Sequence, residues 1–268
     1  MNETTRIAHS YERMVLGALA PLTEAEHIAR YAFAGNIVKG MAVGDIACGS
    51  GYGCKMLLEH GAASVVGVDL SDAAIEMAKE KCTGLNANFW RCNAESLSPI
   101  ESASLDAVVS FETIEHVQSP KLFLSEVHRI LRPNGLFIVS TPDRRLSSPF
   151  YFVRKKPTNK YHVHEYSMSE FSQIIKQRFV IEEMRGQSII PVILASLPMQ
   201  IAIKGTARLL RMSTITKWKD GLYSAQGDVT VTPFATRKGV AKYLVCIAKN
   251  SPIAEKQQRS ARSQQKDA

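Results

Sequence analysis

Between residues 41 and 141 short apolar runs alternate with helix-length amphipathic segments, and this rhythm restricts the fold more than any other feature of the chain. Ala42–Ala47, Ser64–Asp69, Ala87–Cys92, Leu105–Phe111 and Leu136–Thr141 read as buried strands rich in Val, Ile and Ala. The intervening segments carry helix punctuation. A helix over Tyr52–His60 stops before Gly61. A second, over Asp72–Cys82, has Ser71 as N-cap and Gly84 beyond its end. Ser119-Pro120 opens a third, which ends before the Pro133-Asn134-Gly135 turn. Apolar strands alternating with helices require a parallel sheet covered on both faces.

The flanks fit around that unit. Thr23-Glu24-Ala25-Glu26 is a capping-box pattern for a helix reaching about Val38, and Ser167-Met168-Ser169-Glu170 repeats the pattern for a helix to about Gln177. Phe179–Met184 and Val240–Ala248 read as two further strands. Residues 186–235 lack the strand–helix rhythm beyond a helix within 191–212. From Asn250 on, Ser, Gln, Lys and Arg dominate. The expected fold is therefore α/β: a Rossmann-like, doubly wound, seven-stranded, mostly parallel sheet. An N-terminal helical cap (1–40) precedes the main domain (41–249), which carries insertions at about 142–166 and, before the last strand, at 186–235. A disordered basic tail (250–268) follows.

Charge separates two functional zones. Residues 1–140 carry 11 basic and 16 acidic side chains, net −5, whereas residues 141–220 carry 14 and 6, net +8. A formal net charge of +8 for 268 residues thus does not describe an evenly basic, nucleic-acid-binding surface. The five cysteines include no pair at metal or redox spacing, and the polar N-terminus leads into no apolar signal core, so a reduced, cytoplasmic protein is expected. The apolar stretch Ile189–Ile203 is interrupted by Pro191 and Pro198 and is shorter than the ~20 residues that span a bilayer. It reads as a buried or partner-facing helix.

The segment Asp45-Ile46-Ala47-Cys48-Gly49-Ser50-Gly51-Tyr52-Gly53 joins the first strand to the first helix. Glycines there let backbone approach a ligand at the strand carboxyl ends, where open α/β sheets bind ligands. Asp69 ends the second strand twenty residues after Gly49, where a carboxylate accepts hydrogen bonds from both ribose hydroxyls. The ligand is a nucleoside or nucleotide. A dinucleotide site would place its third glycine one residue later than Gly53, and Asp45 would repel a pyrophosphate while suiting a cation. S-adenosylmethionine (SAM), with its sulfonium and ammonium groups, meets these conditions, and a dinucleotide oxidoreductase is the main competitor.

At these residues the chain resembles the class I SAM-dependent methyltransferases, over roughly residues 10–185 and the last strand. The resemblance implies SAM contacts from Asp45, Ala47, Gly49 and Gly51 in the first motif and from Asp69 and Leu70 after the second strand. It implies further contacts from Asn93 and Ala94, at the place of an adenine-binding acid, and from Phe111 at the end of the fourth strand. Asn93 departs from the usual acid but keeps an acceptor oxygen. Val43-Gly44-Asp45 also departs from the usual Val-Leu-Asp and loses one core side chain.

Methyl transfer to a hydroxyl needs alignment and a proton acceptor. His116, in Phe111-Glu112-Thr113-Ile114-Glu115-His116, and His162 are the candidate bases or orienting groups, with Glu165 in support. His162 and His164 would share one face of extended backbone, but with no third strong ligand evident no metal is expected. These segments, with Tyr11–Val15 and Glu26–Tyr31, are similar to a bacterial group of methyltransferases linked with surface-glycan and sugar modification. That resemblance implies O-methylation of a sugar or glycan-precursor hydroxyl. A quinone-type small molecule or a sugar amine is the alternative acceptor, and a non-catalytic SAM-binding protein a further one.

The basic run Arg144-Arg145, Arg154-Lys155-Lys156 and Lys160 suits a phosphate-bearing acceptor, which points to an anionic, and in one form lipid-linked, substrate. Nucleic acid is not the expected partner, because Glu112-Thr113 stands where base-nitrogen methyltransferases often carry Pro-Pro. The sequence leaves the oligomeric state open.

Overall fold

The computed structural model of the chain describes residues 21–149, 151, 155–190, 229–234 and 239–251. Its elements run α1 (Pro21–Ile37), β1 (Ala42–Ile46), α2 (Tyr52–Glu59), β2 (Ser64–Asp69), α3 (Asp72–Lys81), β3 (Ala87–Arg91) and β4 (Leu105–Phe111). They continue with α4 (Pro120–Ile130), β5 (Leu131–Pro142), α5 (Arg144–Ser147), α6 (Met168–Ile175), β6 (Val180–Ile190), β7 (Val231–Pro233) and β8 (Val240–Lys249). The strand order is β3-β2-β1-β4-β5-β8-β6-β7. The first five strands of that order pair in parallel, and β8 runs antiparallel to both β5 and β6. The order reverses at β1, so a crevice opens between the carboxyl ends of β1 and β4.

The sheet buries apolar side chains on both faces. Tyr31 and Ala34 of α1 pack with residues of α2 and α3 on one face. Phe123, Leu124 and Val127 of α4 and Phe171 of α6 pack on the other. Each fully buried Phe or Leu stabilises the fold by roughly 1.5–3 kcal/mol. The local signals hold where they rest on short-range chemistry. Ser71 accepts from Ala74 N–H at the start of α3, and Ser119 accepts from Leu122 N–H at the start of α4. Ser167 and Glu170 form a reciprocal capping box on α6.

Several expectations change. Among the described residues the sheet has eight strands, not seven. β6 extends to Ile190, past the boundary read at residue 186, and its outer edge pairs with the short β7. The pattern changes there because Gly186, Gln187 and Ser188 break the apolar run, and those polar side chains are satisfied by tertiary partners. Thr23 does not cap α1, because the helix already includes Pro21. β5 begins at Leu131, and the expected Pro133-Asn134-Gly135 turn is a bulge within it, where pairing jumps from Leu105↔Leu131 to Ala107↔Leu136 and Asn134 has φ 67°.

Asn250, read as the first residue of a tail, is 7% exposed, and its amide donates to the carbonyls of His128, Leu131 and Arg132. The side chain lost at Gly44 leaves no void: a Cβ there would lie 2.8 Å from Leu105 Cδ1, so Leu105 occupies the space. The helix expected within 191–212, residues 1–20 of the cap and the tail beyond Ser251 lie outside the described residues. No helix among the described residues is long and apolar enough to cross a membrane.

Candidate functional site

A cavity of about 1000 Å³ lies over the carboxyl ends of the parallel strands and reaches from Asp69 and Asn93 to His162 and Lys242. Its cofactor side is built by the turn after β1. Ala47 (φ 65°), Gly49 (φ 54°) and Gly51 (φ 75°) alternate in the left-handed region. A Cβ on Gly51 would fall 2.6 Å from Ala78 Cβ and 2.7 Å from its Cα, so the turn sits directly on α3. This contact leaves room only for glycine.

Asp69 closes the other side of the turn. Its Oδ2 accepts from Gly49 N–H at 3.0 Å and its Oδ1 from Ser71 N–H at 2.9 Å. Each carboxylate oxygen keeps acceptor capacity beyond these bonds. Beside it, Asn93 Oδ1 accepts from Glu95 N–H at 2.9 Å, which holds the amide in the loop after β3. Of the residues expected to touch the cofactor, Ala47, Gly49, Asp69, Leu70, Asn93, Ala94 and Phe111 line the cavity.

Two expected contacts do not line the cavity. Gly51 faces Ala78 instead. Asp45 is fully buried beneath the turn, where Tyr31 Oη donates to its carboxylate at 3.1 and 3.2 Å and Cys54 Sγ at 3.2 Å. Burial pushes the Asp45 carboxyl up to about 7, against those hydrogen bonds, and the nearby Asp69 charge adds to the rise. Gly53 explains the third glycine of the run. A Cβ there would lie 2.1 Å from the Tyr31 ring, the ring whose hydroxyl holds Asp45. The glycine packs α2 against α1 rather than against a dinucleotide.

The acceptor side is built from side chains distant in sequence. His116 Nδ1 lies 3.2 Å from Tyr161 O, and His162 Nδ1 lies 2.7 Å from Glu165 Oε1. The two imidazoles meet edge to face with centroids 4.8 Å apart. His116, His162 and Glu165 all line the cavity together. The loop after β4 and the 160s segment are joined by backbone, since Val163 N–H and His164 N–H both donate to Glu115 O. His164 is not a cavity residue: its ring packs against Tyr166 at 4.5 Å, so it does not share the face of His162.

Three carboxyls near the histidines differ by environment. Burial pushes Glu165 up, but hydrogen bonds from His162, Ser148 and Ser147 outweigh it and hold the carboxyl below its ordinary value. Burial raises Glu112, with the Arg30 charge opposing, and raises Glu115 far more, with Glu112 adding repulsion. Burial also lowers His116, helped by the neighbouring His162. A neutral His116 and an ionised Glu165 coexist in one wall of the cavity.

Sequence reasoning missed a buried polar tie behind the site. Glu26 accepts from Ser188 Oγ and Lys242 Nζ, both at 2.7 Å. Arg30 is fully buried, bonds Gln187 and stacks 4.3 Å above the Tyr243 ring. Lys242 and Tyr243 line the cavity with His27 and Tyr52. The one available signal was two charges, Glu26 and Arg30, on the otherwise apolar face of α1.

The basic run is also partly committed. Arg144 pairs with Glu170 at 2.8 Å and stacks on Tyr151, and Arg145 pairs with Asp143 at 2.6 Å. Arg154 lies outside the described residues.

The fold and the turn together have the architecture of class I SAM-dependent methyltransferases. Residues 44–139 match the methyltransferase domain family. The chain is similar to a "Probable S-adenosylmethionine-dependent methyltransferase" of Mycolicibacterium smegmatis, 33% identical over 148 residues, 55% of each chain. It is also similar to the ubiquinone biosynthesis O-methyltransferase of Maricaulis maris, 35% identical over 108 residues, 40% of this chain and 42% of the relative. It thus spans about half the length of the curated relatives it matches.

Among solved structures, a SAM-dependent methyltransferase of Mesorhizobium loti superposes with a TM-score of 0.55 at 19% identity, covering 85% of this chain and 99% of the other. The fold and these relatives indicate SAM as the cofactor. The site has room and donors for it: the Asp69 carboxylate keeps acceptor capacity at the cavity, and the turn over Ala47–Gly51 brings backbone to the cavity edge.

Proposed function

We propose that this chain is a SAM-dependent methyltransferase that methylates a hydroxyl oxygen of a sugar or glycan precursor. The observation that carries the reading is the His162–Glu165 pair, 2.7 Å apart, with His116 against it in the cavity that also holds Asp69 and Asn93. Asp69, the Gly49 turn and Asn93 hold the nucleoside part of SAM. Bound SAM supplies an electrophilic methyl on sulfur.

The chain's own residues then do three things. The ionised Glu165 fixes the His162 ring with Nδ1–H donating, which leaves the Nε2 lone pair to accept the acceptor's proton. Tyr161 O fixes His116 in the same sense. The cavity wall orients the hydroxyl oxygen toward the methyl and excludes water. Lys155, Lys156 and Lys160 flank the cavity-lining Thr158 and Asn159 and favour an acceptor that carries phosphate, lipid-linked or free.

A second reading is a hydroxylated aromatic, quinone-type acceptor, which the ubiquinone O-methyltransferase relatives favour. Formation of S-adenosylhomocysteine with nucleotide sugars and phosphorylated glycans, set against dihydroxybenzoates, separates the two. Turnover on the aromatic set alone removes the sugar reading. His162→Ala should lower kcat by roughly 10²–10⁴-fold. SAM affinity measured by calorimetry should stay unchanged.

A further inference from the structure

We propose that Glu115, His116 and His162 form a binding site for a divalent transition-metal cation of the zinc type. One ligand atom from each of the three residues lies within 4.8 Å of the other two, and all three residues line the cavity. Three further features fit the groups for a shared cation.

First, both imidazoles have their Nδ1 positions engaged. A carbonyl oxygen only accepts, so His116 Nδ1 carries the proton it shares with Tyr161 O at 3.2 Å. His162 Nδ1 likewise donates to Glu165 at 2.7 Å. Each ring is left with a bare Nε2 lone pair, the arrangement in which a second partner orients a metal-binding histidine. Second, Glu115 is fully buried, its Oε2 accepts from Thr141 at 3.1 Å, and its Oε1 has no partner among the described residues. A buried carboxyl oxygen without a partner costs free energy, part of which a cation that displaces the acid proton would return. Third, the two ligand-bearing segments are tied together, because Val163 and His164 donate their N–H groups to Glu115 O.

Two imidazoles and a carboxylate suit zinc or a neighbouring first-row ion rather than magnesium, and three protein ligands leave a position open toward the cavity. Ligands of a tetrahedral zinc stand about 3.4 Å apart, so a closing movement of about 1 Å completes the set. His162 was expected beside His164. The fold instead brings it to His116, 46 residues earlier, and so supplies the third ligand.

The use of the cation rests on the methyltransferase reading; its binding does not. An acceptor hydroxyl on the open position would release its proton to solvent. Its oxygen would attack the methyl carbon as the carbon–sulfur bond breaks, the electron pair remaining on sulfur. Ligation at both Nε2 atoms would replace proton acceptance there.

The test is calorimetric titration of the tag-free, metal-stripped full chain with zinc, and with cobalt to read its visible absorption. One equivalent should bind. His116→Ala and His162→Ala should each weaken binding at least tenfold, and Glu165→Gln about tenfold. His164→Ala should change nothing, and retained SAM binding shows that each variant is folded. No zinc binding, or equal binding by the His116→Ala/His162→Ala double variant, overturns the site. If methyl transfer still proceeds in EDTA, the methyltransferase reading survives that failure. If zinc binds but no acceptor yields S-adenosylhomocysteine, the site stands and that reading falls.

Discussion

The two halves of the cavity are made in different ways. The cofactor half is backbone: three left-handed residues within Ala47–Gly51, a glycine pressed on Ala78, and an aspartate accepting two N–H groups within two strands of chain. The acceptor half is side chain: His116 meets His162, and Glu26 meets Ser188 and Lys242 across more than 160 residues. A backbone turn tolerates few residues and announces itself locally. A side-chain cluster tolerates many surroundings and announces itself only when the sheet brings distant strand ends together. The lesson is that shape for a common cofactor is written in the turn, whereas the chemistry of the acceptor is written in the packing.

The contrast can be broken at its strongest point first. Asp69→Ala removes the acceptor of Gly49 and Ser71 and the ribose contact together. SAM affinity should fall about 100-fold, the equivalent of ~3 kcal/mol from two charged hydrogen bonds. The thermal midpoint should fall with it. Calorimetry and a melting curve report both, and an unchanged affinity would mean that the backbone turn alone holds the cofactor.

Asp45 sharpens the comparison, because it serves the cofactor half from beneath. Its folded value of about 7 lies above the ordinary 3.8, so the folded state holds the proton more tightly between those values. Its contribution to stability is full below pH 3.8 and is lost as pH rises through about 7. SAM carries positive charge and prefers the ionised carboxylate, so its affinity should strengthen over the upper part of that window. Asp45→Asn should flatten both profiles and weaken SAM binding at pH 8 by roughly tenfold, the scale of one charge interaction inside a protein. Binding isotherms from pH 5 to 8 in both proteins check this.

The smallest effect belongs to the acceptor half's surface. Lys155→Glu with Lys156→Glu should raise the KM for a phosphorylated acceptor two- to threefold, less at high salt, and leave SAM binding as it is. Equal KM values before and after would make the run solvated surface only.

Much of the fold was legible because its signals are local. Ser71, Ser119 and the Ser167–Glu170 box cap the helices they precede, and β2 and β4 match their apolar runs residue for residue. The eighth strand was not, because Val231–Pro233 is too short for a pattern and exists only by pairing with Arg185–Gln187. Asp45 was misplaced for a related reason. The sequence shows a carboxylate at a strand end, but only packing shows Tyr31 and Cys54 closing over it. The same holds for Arg144 and Arg145, whose charge is visible in composition and whose neutralisation by Glu170 and Asp143 is not.

The sequence by itself determined the doubly wound sheet, the glycine turn and the acid at Asp69, because strand rhythm, turn conformation and capping are set by neighbours along the chain. Only the tertiary structure decided what faces what. It buried Asp45, separated His164 from His162, and brought His116 and an unpartnered Glu115 oxygen to the cavity wall. The physical reason is range: a turn is fixed within a few residues, whereas the protonation and partners of a buried side chain depend on every element packed around it.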